Sequence, residues 1–173
     1  MLHPRHFFTT LLLLLFLIPS LPADAEEIKI DGVLDEALWS SAREWTEYFE
    51  SIPFSLAEPK HAQKVLILED EKGMYFGFIN EQPRETIRAN QHQRDNERAN
   101  ADRAGVSIDF DGDGLTAYGF SVSAGGSISD SIYRNENQGN TDWDADWDSA
   151  THIEGDAWFL EMFIPWSIAP MKV

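Results

Sequence analysis

Residues 104–134 read AGVSIDFDGDGLTAYGFSVSAGGSISDSIYR, and the pattern is that of three antiparallel strands joined by two turns. Val106, Ile108 and Phe110 alternate with Ser107 and Asp109, the period-two spacing of a half-buried strand. Asp111-Gly112-Asp113-Gly114 breaks the run, because glycine reaches positive φ without steric cost. Tyr118, Phe120 and Val122 then share one face, with Ala117, Gly119, Ser121 and Ser123 on the other. Gly125-Gly126 turns the chain again, and Ile128 and Ile132 face the same side on the way back. Asp130 falls between them, a carboxylate on an apolar face.

Outward from this meander the same logic holds. Gln63 to Leu68 is a strand with apolar residues on both faces. It turns at Glu69-Asp70-Glu71-Lys72-Gly73 into Met74 to Asn80, forming a hairpin near the sheet centre. Near the C-terminus, Trp158, Leu160, Met162 and Ile164 alternate with Phe159, Glu161 and Phe163 until Pro165 ends the strand. Strands with turn signals about every eight to twelve residues indicate an all-β antiparallel sandwich. Ile28-Lys29-Ile30 reads as a short strand. Leu34 to Ala42 reads as the one short N-terminal helix, with Asp35 as N-cap and Leu38, Ala42 and Trp45 on one face. Between Glu81 and Arg103 the apolar pattern fades. Arg84, Arg88, Arg94, Arg98 and Arg103 lie there, either on a solvated loop or as an arginine rim offering forked donors. Asn135 to Asn140 reads as a polar loop, and the residues after Pro165 as the start of a further element.

Residues 1–25 carry Arg5, an apolar run from Phe7 to Leu21, and Ala23-Asp24-Ala25, a small-x-small site. Together these spell a secretory signal peptide. The expectation is an exported chain, periplasmic, outer-membrane-associated or secreted, with residues 26–173 forming one domain. The absence of cysteine rules out thiol chemistry, cysteine-bound zinc and disulfides. A formal net charge of −17 disfavours nucleic acid and anionic lipid.

IDGVLDEALW, LILEDEKGMYFGF, RDNERANADRAGVSIDFDGDGLTAYGFSV, WDADWD and WFLEMFIPWS occur in that order. This set resembles the family 9 carbohydrate-binding module, in the version that opens many bacterial exported and outer-membrane proteins. The resemblance implies a jelly-roll-like sandwich that binds oligo- or polysaccharide without cutting it, often within a carbohydrate-degrading protein and sometimes with calcium. In the outer-membrane version a barrel follows the Ile-Pro motif, here Ile164-Pro165, whereas this chain stops at Val173.

Sugar recognition needs an apolar ring face and groups that bond to hydroxyls. Six tryptophans are available. Trp39, Trp45 and Trp158 lie on apolar-periodic stretches and read as core. Trp143 and Trp147, in the acidic run TDWDADWD, either form an aromatic platform or close an edge of the sandwich. Arg94-Asp95 resembles a pair common in the barrel-linked relatives. Either Arg94 donates to a sugar with Asp95 orienting it, or the two form a surface ion pair.

Asp109, Asp111, Asp113 and Gly114 reproduce the opening of a D-x-D-x-D-G calcium loop. The twelfth position is Phe120 rather than glutamate, which excludes an EF-hand. A different calcium site built from some of Asp109, Asp111 and Asp113, with Asp130 or with the Asp142–Asp148 set, stays open beside a plain acidic turn. No nucleophile elbow, HExxH or Walker loop is present, and abundant carboxylates alone do not make a glycosidase pair. Two further readings are a haem-binding sandwich with Met74, Met162, His92 or His152 as ligands, and a plug or assembly domain for an outer-membrane β-barrel.

Overall fold

The computed structural model of the chain describes residues 27–96, 98–134 and 138–168. The expected signal peptide, part of the Asn135–Asn140 loop and the residues after Ile168 lie outside these. The described residues form two antiparallel sheets. The first has the order β1-β2-β3-β9-β8, built from β1 (Arg43–Trp45), β2 (Gln63–Glu69), β3 (Gly73–Glu81), β8 (Asp148–Glu154) and β9 (Ala157–Pro165). The second is a meander, β4 (Arg103–Ile108), β5 (Thr116–Ser123), β6 (Ile128–Arg134) and β7 (Gln138–Asn140). The all-β sandwich expected from the alternation is the fold observed.

Between the sheets lies the main core. Phe76 and Phe78 of β3 sit opposite Met162 and Leu160 of β9, and Phe120 and Val122 of β5 face them from the other layer. Strict alternation on these strands puts every second side chain into one apolar cluster.

β2, β3 and β9 are apolar on their other face too, and the N-terminal segment explains why. Ile28 and Trp39 pack with Leu66 and Tyr75 into a second cluster on the outer side of the five-stranded sheet. Ile28-Lys29-Ile30 belongs to no sheet strand, contrary to the sequence expectation. The expected helix is a single 3-10 stretch, Ala37–Ser41, preceded by Glu36 with no side-chain cap. Its function is to seat Trp39. Gly77 leaves the room: a Cβ there would lie 2.5 Å from Leu34 Cδ2 and 3.2 Å from the Trp39 ring.

Directly opposite Gly77 is Glu161, fully buried on that outer face. Its Oε2 accepts the N–H groups of Asp31 (2.9 Å) and Gly32 (2.8 Å), and its Oε1 accepts Trp39 Nε1–H (3.2 Å). This carboxylate therefore staples the N-terminal segment to the sheet. Burial pushes the Glu161 carboxyl above the usual carboxylate range, opposed by those three N–H donors.

β1 departs from expectation. Trp45, read as core, is 43% exposed. The helix ends at Ser41, so Trp45 leaves the helical face it would have shared and sits on the edge strand of its sheet. β7 forms where the sequence predicts a loop, since its three residues, Gln-Gly-Asn, carry no alternation; pairing with Ile132 to Arg134 makes it a strand.

Removing the Glu161 staple leaves buried N–H donors without acceptors, so Glu161→Ala should lower stability by about 3 kcal/mol in urea unfolding. Because the folded carboxyl is raised, its contribution to stability is fully present below the ordinary carboxylate pKa. It is lost as pH rises through the elevated value. The protein should accordingly lose stability relative to Glu161→Gln as pH rises above the ordinary carboxylate pKa; a gain on that rise would contradict the assignment.

Candidate functional site

Asp130, the polar residue on an apolar strand face, is completely buried at the edge of the main core. Arg94 Nη2 donates to both of its oxygens, at 2.8 and 2.7 Å. Oδ2 also accepts Ala145 N–H (2.8 Å) and Trp147 Nε1–H (3.1 Å). Arg94 Nε lies 2.8 Å from Asp144 Oδ1 and 3.6 Å from Asp95 Oδ2. Burial works against the Arg94 charge, yet the surrounding carboxylates hold the guanidinium above its ordinary pKa. Asp95 itself, at φ +60°, accepts the Asp130 N–H and donates its own N–H to Ile128. Asp tolerates this left-handed conformation better than most residues.

The consequence for the tryptophans is direct. Trp147 is 8% exposed, its ring 5.4 Å from that of Phe120, so its faces are not available to a ligand. Trp143 is half-buried, edge-on against Tyr118 and Phe120. The two indoles close an edge of the sandwich rather than forming a shared platform. Alternation does not govern this segment, because residues 141–147 belong to no strand; Asp130 instead captures the Trp147 N–H. Arg94 and Asp95 are likewise drawn into this network rather than pairing alone on the surface.

The four proposed calcium ligands do not meet. Asp109 turns both oxygens onto the N–H groups of Asp111, Gly112 and Gly114, and Asp113 accepts Leu115 N–H. Among the described residues, three acidic side chains converge within 4.8 Å only at Asp95, Asp130 and Asp144. The Arg94 guanidinium already serves that trio as the cation. Neither set fits calcium: the turn aspartates do not converge, and the trio that does converge is already neutralised by the Arg94 guanidinium. The haem candidates are also held apart: Met74 and Met162 belong to the main core, while His152 stacks near Phe159, whose strand position faces the opposite side. His92 is bound to Ser127 and Arg103.

The opposite face of the meander presents a different surface. Side chains that flank the apolar ones are nearly all glycine or serine, and the register aligns them. Gly105 pairs Ser121, which pairs Ser129; Ser107 pairs Gly119, which pairs Ser131. The result is a shallow groove of about 180 Å³ with a two-row Gly–Ser floor. At its end the Tyr133 ring rests on two glycines: a Cβ on Gly119 would lie 2.7 Å from Tyr133 Cε2, and one on Gly139 would lie 3.0 Å from Cε1.

Ser129 and Ser131 are each only 4% exposed, and both line the groove. Among the described residues their hydroxyls have no hydrogen-bond partner, although no fully enclosed side-chain oxygen or nitrogen lacks one. Their oxygens therefore reach open space through the groove itself. No charged side chain lines it. The sequence signal for this site was present as the small-residue face of residues 117–123, which alternation treats only as the side away from the core.

No protein-family model matches the sequence, and no curated protein does. Solved structures do. A family 9 carbohydrate-binding module from Caldicellulosiruptor kristjanssonii in complex with glucose superposes with a TM-score of 0.59 at 16% identity, over 83% of this chain and 67% of that one. The same organism's family 9 module in complex with cellotriose gives 0.53 at 15% identity, over 83% and 66%. This chain spans about two thirds of the length of each. The fold is thus that of a family 9 carbohydrate-binding module.

Loss of the Arg94 side chain would strand a buried carboxylate. Arg94→Ala should cost about 3 kcal/mol of stability and shift Trp147 emission to the red, while EDTA or added calcium should leave the melting temperature of the unmodified protein unchanged. A melting temperature that falls with EDTA would contradict the charge balance described.

Proposed function

We propose that this chain is a non-catalytic carbohydrate-binding domain whose neutral glycan ligand lies on the Gly–Ser groove of the four-stranded sheet. The observation that carries this reading is the pair of Ser129 and Ser131 hydroxyls, nine-tenths buried, facing the groove and unbonded. A sugar ring supplies the donors and acceptors that such groups need. The glycines let the ring approach the sheet backbone, and Tyr133 offers an apolar flank for its C–H edge. An uncharged groove on a chain of net charge −17 favours neutral sugars over uronates or sulfated glycans.

The fold likeness supports the reading, since the superposable modules hold glucose and cellotriose. The leader-like residues 1–25 place the domain in an exported protein, and a module that binds without cutting belongs in a polysaccharide-handling system.

Calorimetric titration with glucose and cellotriose tests the proposal. Binding should be measurable, and Tyr133→Ala or the double variant Ser129→Ala/Ser131→Ala should weaken it about tenfold, the equivalent of one or two hydrogen bonds. Unaltered affinity in both variants would remove the groove from the account.

A further inference from the structure

Five of the eight large apolar side chains that stand exposed among the described residues fall within positions 45–56: Trp45, Phe49, Ile52, Phe54 and Leu56. Surface apolar residues are normally scattered singly, so this concentration along one stretch calls for an explanation. It is also a formed one. Glu50 N–H donates to Ala57 O (2.9 Å) and Leu56 N–H to Glu50 O (3.1 Å), closing the loop at its base. Ala57 N–H donates to Ser55 Oγ at 3.2 Å, and Ser55 Oγ donates to the Glu50 carboxylate. Leu56 adopts φ +54°, a left-handed conformation costing a leucine about 1–2 kcal/mol. The Trp45 indole N–H is taken by Glu47 O at 2.9 Å, which fixes the ring as a surface with no polar demand of its own.

We infer that this loop is a second, aromatic contact for the glycan, engaging a polysaccharide chain at sugar units beyond the one held in the groove. The inference rests on the carbohydrate-binding reading above. Charge selects the occupant. A second copy of a chain carrying −17, an anionic lipid surface or a polyanion would be repelled, the more so because Glu47, Glu50 and Glu58 flank the apolar side chains. A neutral polysaccharide meets no such cost. Its pyranose C–H faces pack on exposed rings such as Trp45 and Phe54, and the flanking carboxylates accept from its hydroxyls. Two contacts on one polymer raise its apparent affinity without strengthening either site.

The experiment compares cellotriose with a long, soluble, neutral β-glucan on the intact protein. Trp45 is the one tryptophan of the six in the exposed class, so acrylamide quenching reads it preferentially. The long glucan should reduce quenching while cellotriose does not. The affinity gain from cellotriose to long glucan should fall at least about tenfold in Trp45→Ala/Phe54→Ala. Phe54→Ser alone, at a side chain 81% exposed, should show the same trend with an unchanged melting temperature. A long-glucan affinity gain that survives these changes, with quenching unaltered, overturns the loop's role while leaving the groove standing. Retention on phosphatidylcholine vesicles that the variants abolish would also overturn it, in favour of lipid. Absence of binding to either sugar would take down both readings together.

Discussion

A carboxylate sealed into the edge of an apolar core, Asp130, sets the terms for the rest of this structure. Burying such a charge costs several kcal/mol unless it is paired and hydrogen-bonded. Here the compensation comes from three groups on two separate segments of the chain: the Arg94 guanidinium on one, and the Ala145 backbone N–H and Trp147 indole N–H on the other. Each partner is thereby fixed in place. The 92–96 segment pairs with the part of β6 that β7 leaves uncovered, and the acidic 141–147 segment is drawn down so that Trp147 fills the core beside Phe120. A second buried carboxylate, Glu161, acts in the same way on the opposite layer, attaching the N-terminal segment over Gly77. With no cysteine in the chain, these two acids tie distant segments together without any disulfide.

The fold was legible because its central strands obey alternation without exception. Met74, Phe76 and Phe78, and Trp158, Leu160, Met162 and Ile164, are sufficient to define two core strands and their facing layer. What escaped the sequence was decided by long-range capture. Trp143 and Trp147 look exposed because aspartates surround them, and only the partner at position 130 shows otherwise. Trp45 looks buried because it continues the spacing of Leu38 and Ala42, yet the chain changes from 3-10 to an edge strand between them. The aspartates at 109, 111 and 113 suggest a metal, but their oxygens bond to the turn that they build.

The division of faces also explains why the proposed binding surface is easy to overlook. On β5 and β6 the same alternation that sends Phe120, Val122 and Asp130 inward sends Gly119, Ser121, Ser129 and Ser131 outward. Small outward residues read as filler in one dimension. In register across three strands they become a floor shallow enough for a ring and rich in hydroxyls, on a rigid scaffold whose other side is packed solid. In the proposed reading the aromatic groups that meet sugar are Tyr133 at the groove and the rings of the 45–56 loop, while Trp147 serves the interior.

The most direct test is amide NMR mapping of a cellotriose titration on the isotopically labelled protein. The expected result is chemical-shift change concentrated at Gly105, Gly119, Ser121, Ser129, Ser131 and Tyr133, with Ala145 and Trp147 unmoved. Shifts centred on residues 143–148, with the Gly–Ser strands silent, would contradict a buried structural role for Trp147 and return the sugar site to the acidic run.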